Sequence, residues 1–229
     1  MTNPRTDKRP AIIRFYHLLA KCWRRKRFAR FERWIAPQVH ESLVDLGGYP
    51  FNWYGKADLI GRVAVVNLDL AEYNDPPAGS PSIDVFKGDA RHLPFADNQF
   101  DVVFSNSVIE HVGCFEDQQA FATEARRLGT RLWIQTPAFE CPLEPHYLGI
   151  FIHWFPPSWH ARLARIFSFR GLTGATPPSG LREIAASTRL LTRHEMQRLF
   201  PDCKIWTERL CWVFPKSHVA VRCHPNQFH

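Results

Sequence analysis

The sequence lacks several patterns that mark secreted, membrane-spanning or metal-binding proteins. Its six cysteines include no Cys-x-x-Cys pair, which favours a reduced, cytoplasmic protein over one held by disulfide bonds. No apolar run reaches the length of about 18 residues that a spanning helix needs, and the N-terminus has no apolar signal core. We therefore expect neither secretion nor a transmembrane anchor. Without a compact His-x-x-x-His or Cys-x-x-Cys frame, we expect no metal site.

The net charge of +7 is unevenly distributed along the 229 residues. Residues 1–33 hold eleven Lys and Arg against two acidic residues, which gives this segment a net charge of +9. The remaining 196 residues are therefore slightly acidic, at −2. A domain that neutralises nucleic-acid phosphates needs a basic face of its own, so the distribution of charge disfavours nucleic acid as a partner.

Residues 1–39 are predicted to form a basic amphipathic N-terminal helical arm. The apolar residues recur at helical spacing, as Ile12, Phe15, Tyr16, Leu19 and Trp23. One interpretation is a helix that packs on the domain with its charged face in solvent. The other is a peripheral membrane contact through residues 1–33, because basic amphipathic helices bind anionic lipid surfaces.

The pattern from residue 40 onward is that of an α/β domain. Short apolar runs separated by turns predict strands at residues 42–46, 63–68, 83–86, 100–105 and 131–136. Residues 115–128, between the last two of these strands, carry apolar residues at helical spacing. This alternation predicts a Rossmann-like, doubly wound and mostly parallel sheet.

Residues 138–190 interrupt the alternation with prolines, aromatic residues and a glycine-rich stretch. We expect this insertion to lie over the carboxyl edge of the sheet, on the side where a substrate binds. Thr192 and Glu195 then form the pattern of a capping box, which predicts a helix ended by Pro201.

The last part of the chain predicts an antiparallel hairpin at the edge of the sheet. Two runs with strand character cover residues 204–212 and 217–223. Pro215 and Lys216 lie between them and predict the turn.

A glycine loop follows the first predicted strand, in Asp45-Leu46-Gly47-Gly48-Tyr49-Pro50. Glycines at the carboxyl end of a first strand let the backbone approach a bound cofactor closely. The loop lacks the full Gly-x-Gly-x-x-Gly fingerprint, which argues against a dinucleotide whose pyrophosphate needs a helix N-terminus.

Polar side chains follow the next three predicted strands. Asp69 comes after the second, where a carboxylate can accept hydrogen bonds from both hydroxyls of a ribose. Asp89 comes after the third and can accept a hydrogen bond from an adenine amino group. Asn106 lies at the end of the fourth, among small polar residues. These residues indicate a nucleoside-like ligand at the carboxyl edge of the sheet.

Four segments resemble, in order and spacing, the motifs of the class I S-adenosylmethionine (SAM)-dependent methyltransferases, and within them the methyltransferase type 11-like group. These segments are residues 44–48, 67–69, 88–95 and 98–112. The resemblance covers roughly residues 40–137, and the predicted hairpin agrees with it in type. It implies that residues 40–229 form a SAM-dependent methyltransferase domain with a substrate-side insertion at 138–190.

The resemblance also implies a role for each polar or glycine position. Asp45, Gly47 and Gly48 would line the methionine end of SAM. The family usually has a third glycine in this loop. Here that glycine is replaced by another residue, after Tyr49 and Pro50. This departure leaves a non-catalytic SAM-binding pseudo-enzyme or regulator as an alternative to an active enzyme.

The nucleoside end of SAM would be held by the later motifs. Asp69 would bind the ribose, and Asp89 together with the backbone of Ala90 would bind the adenine. Asn106 would lie where the motif after the fourth strand meets the cofactor.

The activity that the resemblance implies is transfer of a methyl group from SAM to a small-molecule, glycan or lipid-linked acceptor. If the acceptor carries a proton, a general base is needed, and His111 and His146 are the candidates because the pKa of histidine lies near neutrality. The basic arm leaves an RNA methyltransferase as a further alternative.

Overall fold

The computed structural model describes residues 11–69, 75–144, 149–172, 176–210 and 212–223. The helices are α1 (Ala11–Ile35), α2 (Phe115–Leu128), α3 (Pro157–Phe167), α4 (Phe169–Leu172), α5 (Pro178–Ser187) and α6 (Arg193–Leu199). The strands are β1 (Ser42–Leu46), β2 (Arg62–Asn67), β3 (Ser82–Lys87), β4 (Phe100–Asn106), β5 (Gly129–Pro137), β6 (Leu143–Glu144), β7 (Gly149–Ile150), β8 (Lys204–Leu210) and β9 (Phe214–Arg222). Short 3₁₀ helices cover Pro50–Asn52, Ile109–His111 and Ile152–Trp154.

Seven strands form one sheet in the order β3-β2-β1-β4-β5-β9-β8. The first five run parallel, while β9 pairs antiparallel with both β5 and β8. The predicted Rossmann-like sheet with a C-terminal antiparallel hairpin is confirmed, and it is the architecture of class I methyltransferases. Because the strand order reverses between β1 and β4, the carboxyl ends of these strands leave a crevice where ligands bind in such sheets.

Side chains from both faces of the sheet form two core clusters. On one face of the sheet, helix α2 buries Phe121, Ala125 and Leu128. The capping box predicted for α6 is present, since the Thr192 hydroxyl accepts a hydrogen bond from the Glu195 backbone N–H at 3.1 Å. The residues that α2 buries on this face are therefore those that recur at helical spacing in the sequence.

The second half of α1 covers the other face of the sheet. Phe31 and Ile35 are completely buried there, and the Phe31 ring lies 5.0 Å from that of Phe104 and 5.8 Å from that of Trp133. The basic residues Lys21, Arg24, Arg25 and Lys26 are exposed on the same helix. The helix thus packs on the sheet with a charged face in solvent, while the boundary at residue 39 stays a prediction. None of the helices in the described ranges is both long and apolar enough to cross a bilayer.

The insertion, residues 138–190, begins and ends beside the carboxyl end of β5. Its two ends meet where Ala138 bridges Leu191 and where the Phe139 N–H donates to the Leu191 carbonyl at 3.0 Å. Between them lie the β6–β7 hairpin and α3, α4 and α5, which share a small buried cluster of Ile152, Ala164 and Leu181. The insertion therefore has a core of its own.

The C-terminal hairpin turns earlier than the sequence predicts. Pro215 and Lys216 lie inside β9, so the predicted turn at these residues is wrong. The chain turns at Trp212 and Val213, and Trp212 has a φ of +64°. A strand tolerates Pro215 here because it pairs with Arg209 at the point where the register shifts, and proline is accepted at such irregularities.

Candidate functional site

A cavity of about 320 Å³ lies among the loops that follow β1 to β4, and we call it the loop cavity. Its size is at the lower end of ligand-binding cavities, which run from about 300 to 1,000 Å³. It is lined by Gly47, Tyr49, Val66, Asn67, Leu68, Gly88, Asp89, Ala90, Arg91, Ser107, Val108, His111 and Val112. The structure thus brings together Gly47, Asp89, Ala90 and His111 of the predicted site residues.

Gly47 forms the tightest part of the loop cavity. Its φ of +76° lies in the left-handed region, and its N–H donates to the Val66 carbonyl at 2.7 Å. A Cβ at this position would lie only 2.5 Å from a methyl carbon of Val108. The wall of the loop cavity therefore requires glycine at this position. Glycine is also the residue that lets the backbone approach a ligand closely.

Asp45 lies beneath the loop and does not line the loop cavity. It is 1% exposed and accepts a hydrogen bond from the Trp53 indole N–H at 2.9 Å. A Cβ on Gly48 would lie 1.8 Å from the Asp45 carboxylate, so the backbone of Gly48 rests directly on it. Burial raises the pKa of Asp45 from 3.8 to about 7, although the hydrogen bonds from Trp53 and Asn52 oppose this shift. The contact of Asp45 with SAM stays a prediction. In the structure, its carboxylate supports the glycine loop from beneath.

We expect Asp45→Asn to remove part of the pH dependence of folding. Because the pKa is raised in the folded protein, the stability that Asp45 contributes is present below about pH 4 and is lost as the pH rises through about 7. Asparagine stays neutral and can still accept the hydrogen bond from Trp53. The variant should therefore gain stability relative to the native protein between pH 4 and pH 8, in urea unfolding curves. Asp58→Asn, at an exposed position, is the control, and parallel pH profiles for Asp45→Asn and the native protein would contradict the prediction.

Asn67 connects the first two loops of the site, a role that no local pattern of the sequence indicates. Its Nδ2 donates to the Gly48 carbonyl at 3.0 Å, and its Oδ1 accepts from the Asp69 N–H at 3.3 Å. Asp69 is exposed immediately after Asn67 and Leu68, which line the loop cavity. Its binding of the ribose stays a prediction, and residues 70–74 that follow it lie outside the described residues.

Asp89 lies in the loop cavity in an ion pair with Arg91. The Arg91 Nε donates to both carboxylate oxygens, at 3.0 and 2.9 Å, while its Nη1 pairs with Asp117 at 2.5 Å. The hydrogen bond from Arg91 lowers the pKa of Asp89, so this carboxylate stays ionised near neutral pH. The Arg91 backbone N–H and Nη2 also donate to Asp89, so three N–H groups share its roughly four acceptor positions and leave room for about one hydrogen bond from a ligand. Ala90, beside it, is 9% exposed and lines the same wall.

The two candidate bases have different positions in the structure. His111 ends the 3₁₀ helix after β4, lies exposed, and has its Nδ1 3.3 Å from the Ser187 carbonyl of the insertion. It lines the loop cavity, on the side of the expected cofactor. His146 lies outside the described residues. The catalytic role of either histidine stays a prediction.

A second cavity, of about 250 Å³, lies under α1, and we call it the helix cavity. Asn106 lines it and does not line the loop cavity, because its Oδ1 faces α1 and accepts from Arg27 Nη1 at 2.8 Å. Ser107 lines both cavities and has a φ of +59°, with its N–H donating to the Gln135 carbonyl at 2.9 Å. The two cavities therefore meet at the end of β4.

Metal-ligating side chains are not gathered in this region. Within the described ranges, no group of three or more His, Cys, Asp or Glu residues is arranged to hold a metal ion. His153, which the insertion buries, instead has its Nε2 2.8 Å from the Phe139 carbonyl.

Comparison with known proteins gives a family match over part of the chain. The methyltransferase domain family matches residues 48–131, the segment that carries most of the loop cavity. No curated protein matches the sequence.

Comparison with solved structures gives neighbours of low sequence identity. Phosphoethanolamine N-methyltransferase 2 of Haemonchus contortus, in complex with phosphomonomethylethanolamine and S-adenosylhomocysteine, is 15% identical with a TM-score of 0.50, over 80% of this chain and 38% of that one. A protein described as a putative Zn-dependent alcohol dehydrogenase of Rhodobacter sphaeroides is 12% identical with a TM-score of 0.50, over 83% and 86% of the two chains. A SAM-dependent methyltransferase of Methanosarcina mazei is 14% identical with a TM-score of 0.47, over 80% and 92%. At such identities the first two comparisons show a shared fold.

Proposed function

We propose that this chain, whose residues 48–131 match the methyltransferase domain family, acts as a class I SAM-dependent methyltransferase on a small-molecule acceptor bound in the helix cavity. The observation that carries this proposal is the meeting of the two cavities at Ser107. A cofactor in the loop cavity and an acceptor in the helix cavity would then both lie next to Ser107. The helix cavity, at about 250 Å³, is slightly smaller than the usual range of ligand-binding cavities, which limits it to a small molecule or to the small end of a glycan or lipid-linked acceptor.

We propose that Gly47 and Gly48 hold the methionine end of SAM, Asp69 the ribose, and Asp89 with Ala90 the adenine. The fit is supported by Gly47, where only a residue without a Cβ leaves the cavity wall open. Bound SAM supplies a methyl group already activated on a sulfonium. The residues of the chain then have to orient the acceptor and exclude water from the junction of the cavities.

Proton removal is a separate requirement that depends on the acceptor. We propose His111 or His146 as the base for an acceptor that carries a proton. His111 lines the loop cavity, and its contact with the Ser187 carbonyl would connect it to the insertion.

We expect Asp69→Ala to weaken SAM binding by about 1.5–3 kcal/mol, or about 10-fold to 150-fold, because two charge-assisted hydrogen bonds to the ribose would be lost. Calorimetric titration of the folded variant with SAM is the measurement. Asp58→Ala is the matched control, since Asp58 is also exposed and does not line the loop cavity. An unchanged dissociation constant for Asp69→Ala would remove this carboxylate from the site.

The two alternatives are separated by turnover. Release of S-adenosylhomocysteine in the presence of small acceptors supports the enzyme, whereas SAM binding without turnover of any acceptor supports the pseudo-enzyme. Methylation of RNA with steeply salt-dependent affinity would instead support the RNA methyltransferase. The cytoplasmic location and the peripheral membrane contact through residues 1–33 stay predictions.

A further inference from the structure

The helix cavity is lined by three cationic side chains, those of Arg24, Arg27 and Lys216. Among the described residues that line it there is no acidic side chain. Apolar side chains, including Trp23 and Leu210, complete its walls. A cavity with this lining matches a ligand that has an apolar body and a negatively charged group.

Arg27 is held rigidly in this cavity. Its side chain is 9% exposed, and its Nη1 donates to Asn106 at 2.8 Å and to Gln135 at 2.7 Å. Its Nη2 pairs with Glu208 at 2.7 Å. The remaining donor, Nε, is buried without a hydrogen-bond partner among the described residues. The Arg27 Nη2 also donates to the Ser217 hydroxyl at 3.3 Å, so protein acceptors use both Nη groups. Arg27 therefore contributes a fixed, largely desolvated positive charge to the cavity wall.

Lys216 brings a second, partly buried charge to the same carboxylate. Its Nζ lies 2.9 Å from the Glu208 carboxylate and 4.5 Å from the centre of the Trp23 ring. Glu208 therefore balances only one of the two cations that it pairs with, Arg27 and Lys216, and exposed Arg24 adds a further positive charge at the cavity wall. An anion in the cavity would offset this excess.

We propose that the helix cavity binds an anionic group, a phosphate or a carboxylate, carried by the acceptor. This inference rests on the proposed function, because it assigns the helix cavity to the acceptor. Arg24 at the cavity wall presents donors in a fork that matches both anions, while Arg27 and Lys216 add positive charge. Held at this end, the acceptor presents its other end to Ser107, where the helix cavity meets the loop cavity.

The test is calorimetric binding of three small probes to the full chain at constant ionic strength. Phenyl phosphate and benzoate each carry an anion on an aromatic ring, and phenol is the neutral counterpart. We expect phenyl phosphate and benzoate to bind at least about tenfold more tightly than phenol, as charge-assisted hydrogen bonds require. Equal affinity for phenol and for the two anions would overturn the inference.

Matched variants connect the binding to the cavity. Arg24→Gln, at an exposed position that is expected to fold, should weaken binding of both anions by about threefold to tenfold without changing that of phenol. Lys216→Met should weaken it further. Lys26→Gln removes an exposed charge on the same helix that does not line the cavity, and should have no effect. Equal losses in Arg24→Gln and Lys26→Gln would indicate unspecific attraction and overturn the inference.

SAM titrations in parallel separate this inference from the proposed function. Intact SAM binding without binding of the anions would overturn the anion site and leave the methyltransferase proposal standing. Failure of the native chain to bind SAM would contradict the methyltransferase proposal, whether or not the anions bind.

The anionic group can belong to a soluble molecule or to a lipid headgroup. Vesicles that contain phosphatidic acid distinguish the two sources. Co-sedimentation that phenyl phosphate abolishes would support the headgroup. Binding of phenyl phosphate by a chain that does not co-sediment with the vesicles would support a soluble acceptor. Both results require the anion site in the helix cavity.

Discussion

Gly47→Ala is expected to weaken SAM binding by about 100-fold, which makes Gly47 the most sensitive position of the loop cavity. At a φ of +76° an alanine costs about 1–2 kcal/mol in backbone strain. Its Cβ would also lie 2.5 Å from a Val108 methyl, so either the loop or Val108 must move. Both line the loop cavity, and either movement changes the surface that the cofactor contacts. Calorimetric titration with SAM is the measurement.

Gly55→Ala is the control for this prediction. Gly55 has a nearly identical φ of +70°, but a Cβ there has no heavy atom within 4 Å. The control therefore carries the backbone strain without the crowding, and should lower stability while it leaves SAM affinity unchanged. If both variants lost SAM affinity equally, global strain and not the shape of the cavity would be the cause.

Phe31→Ala is expected to lower the free energy of unfolding by about 3–5 kcal/mol, the usual cost of removing a large buried side chain from a core. Phe31 is completely buried between α1 and the sheet, with the rings of Phe104 and Trp133 within 6 Å. An N-terminal arm that only touched the domain would give a far smaller loss. Urea unfolding followed by tryptophan fluorescence is the measurement.

Lys26→Ala on the same helix is the control, because Lys26 is exposed and alanine preserves helix propensity. We expect it to stay within about 0.5 kcal/mol of the native protein. A chain that begins at residue 34 should not fold, because Phe31 would be missing from the core. Normal stability of that shortened chain would show that α1 is dispensable.

The fold was predictable because its signals are local. The run at residues 42–46 coincides with β1, and the helical periodicity at 115–128 coincides with α2. The turn of the hairpin was missed because Pro215 and Lys216 resemble a turn, whereas the chain reverses at Trp212, a residue that seldom takes a positive φ.

The site was predictable only in part, because its side chains are oriented by distant partners. Asp45 has the position of a cofactor ligand in the motif, but Trp53 holds its carboxylate under the loop. Arg27 lies in a segment whose charges suggested a solvated or lipid-facing surface. Its partners Asn106, Gln135 and Glu208 are 79, 108 and 181 residues away in the chain, and no local pattern connects them.

The helix cavity and the loop cavity are built from different parts of the chain. Most of the loop cavity comes from residues 47–112, within or beside the segment that the family shares. The helix cavity comes mainly from residues 20–27, 135–143 and 210–217, which lie outside that segment. If the acceptor binds in the helix cavity as proposed, substitutions can accumulate around it while the loop cavity is preserved. In such an arrangement the choice of substrate can diverge among descendants that all keep the same methyl donor.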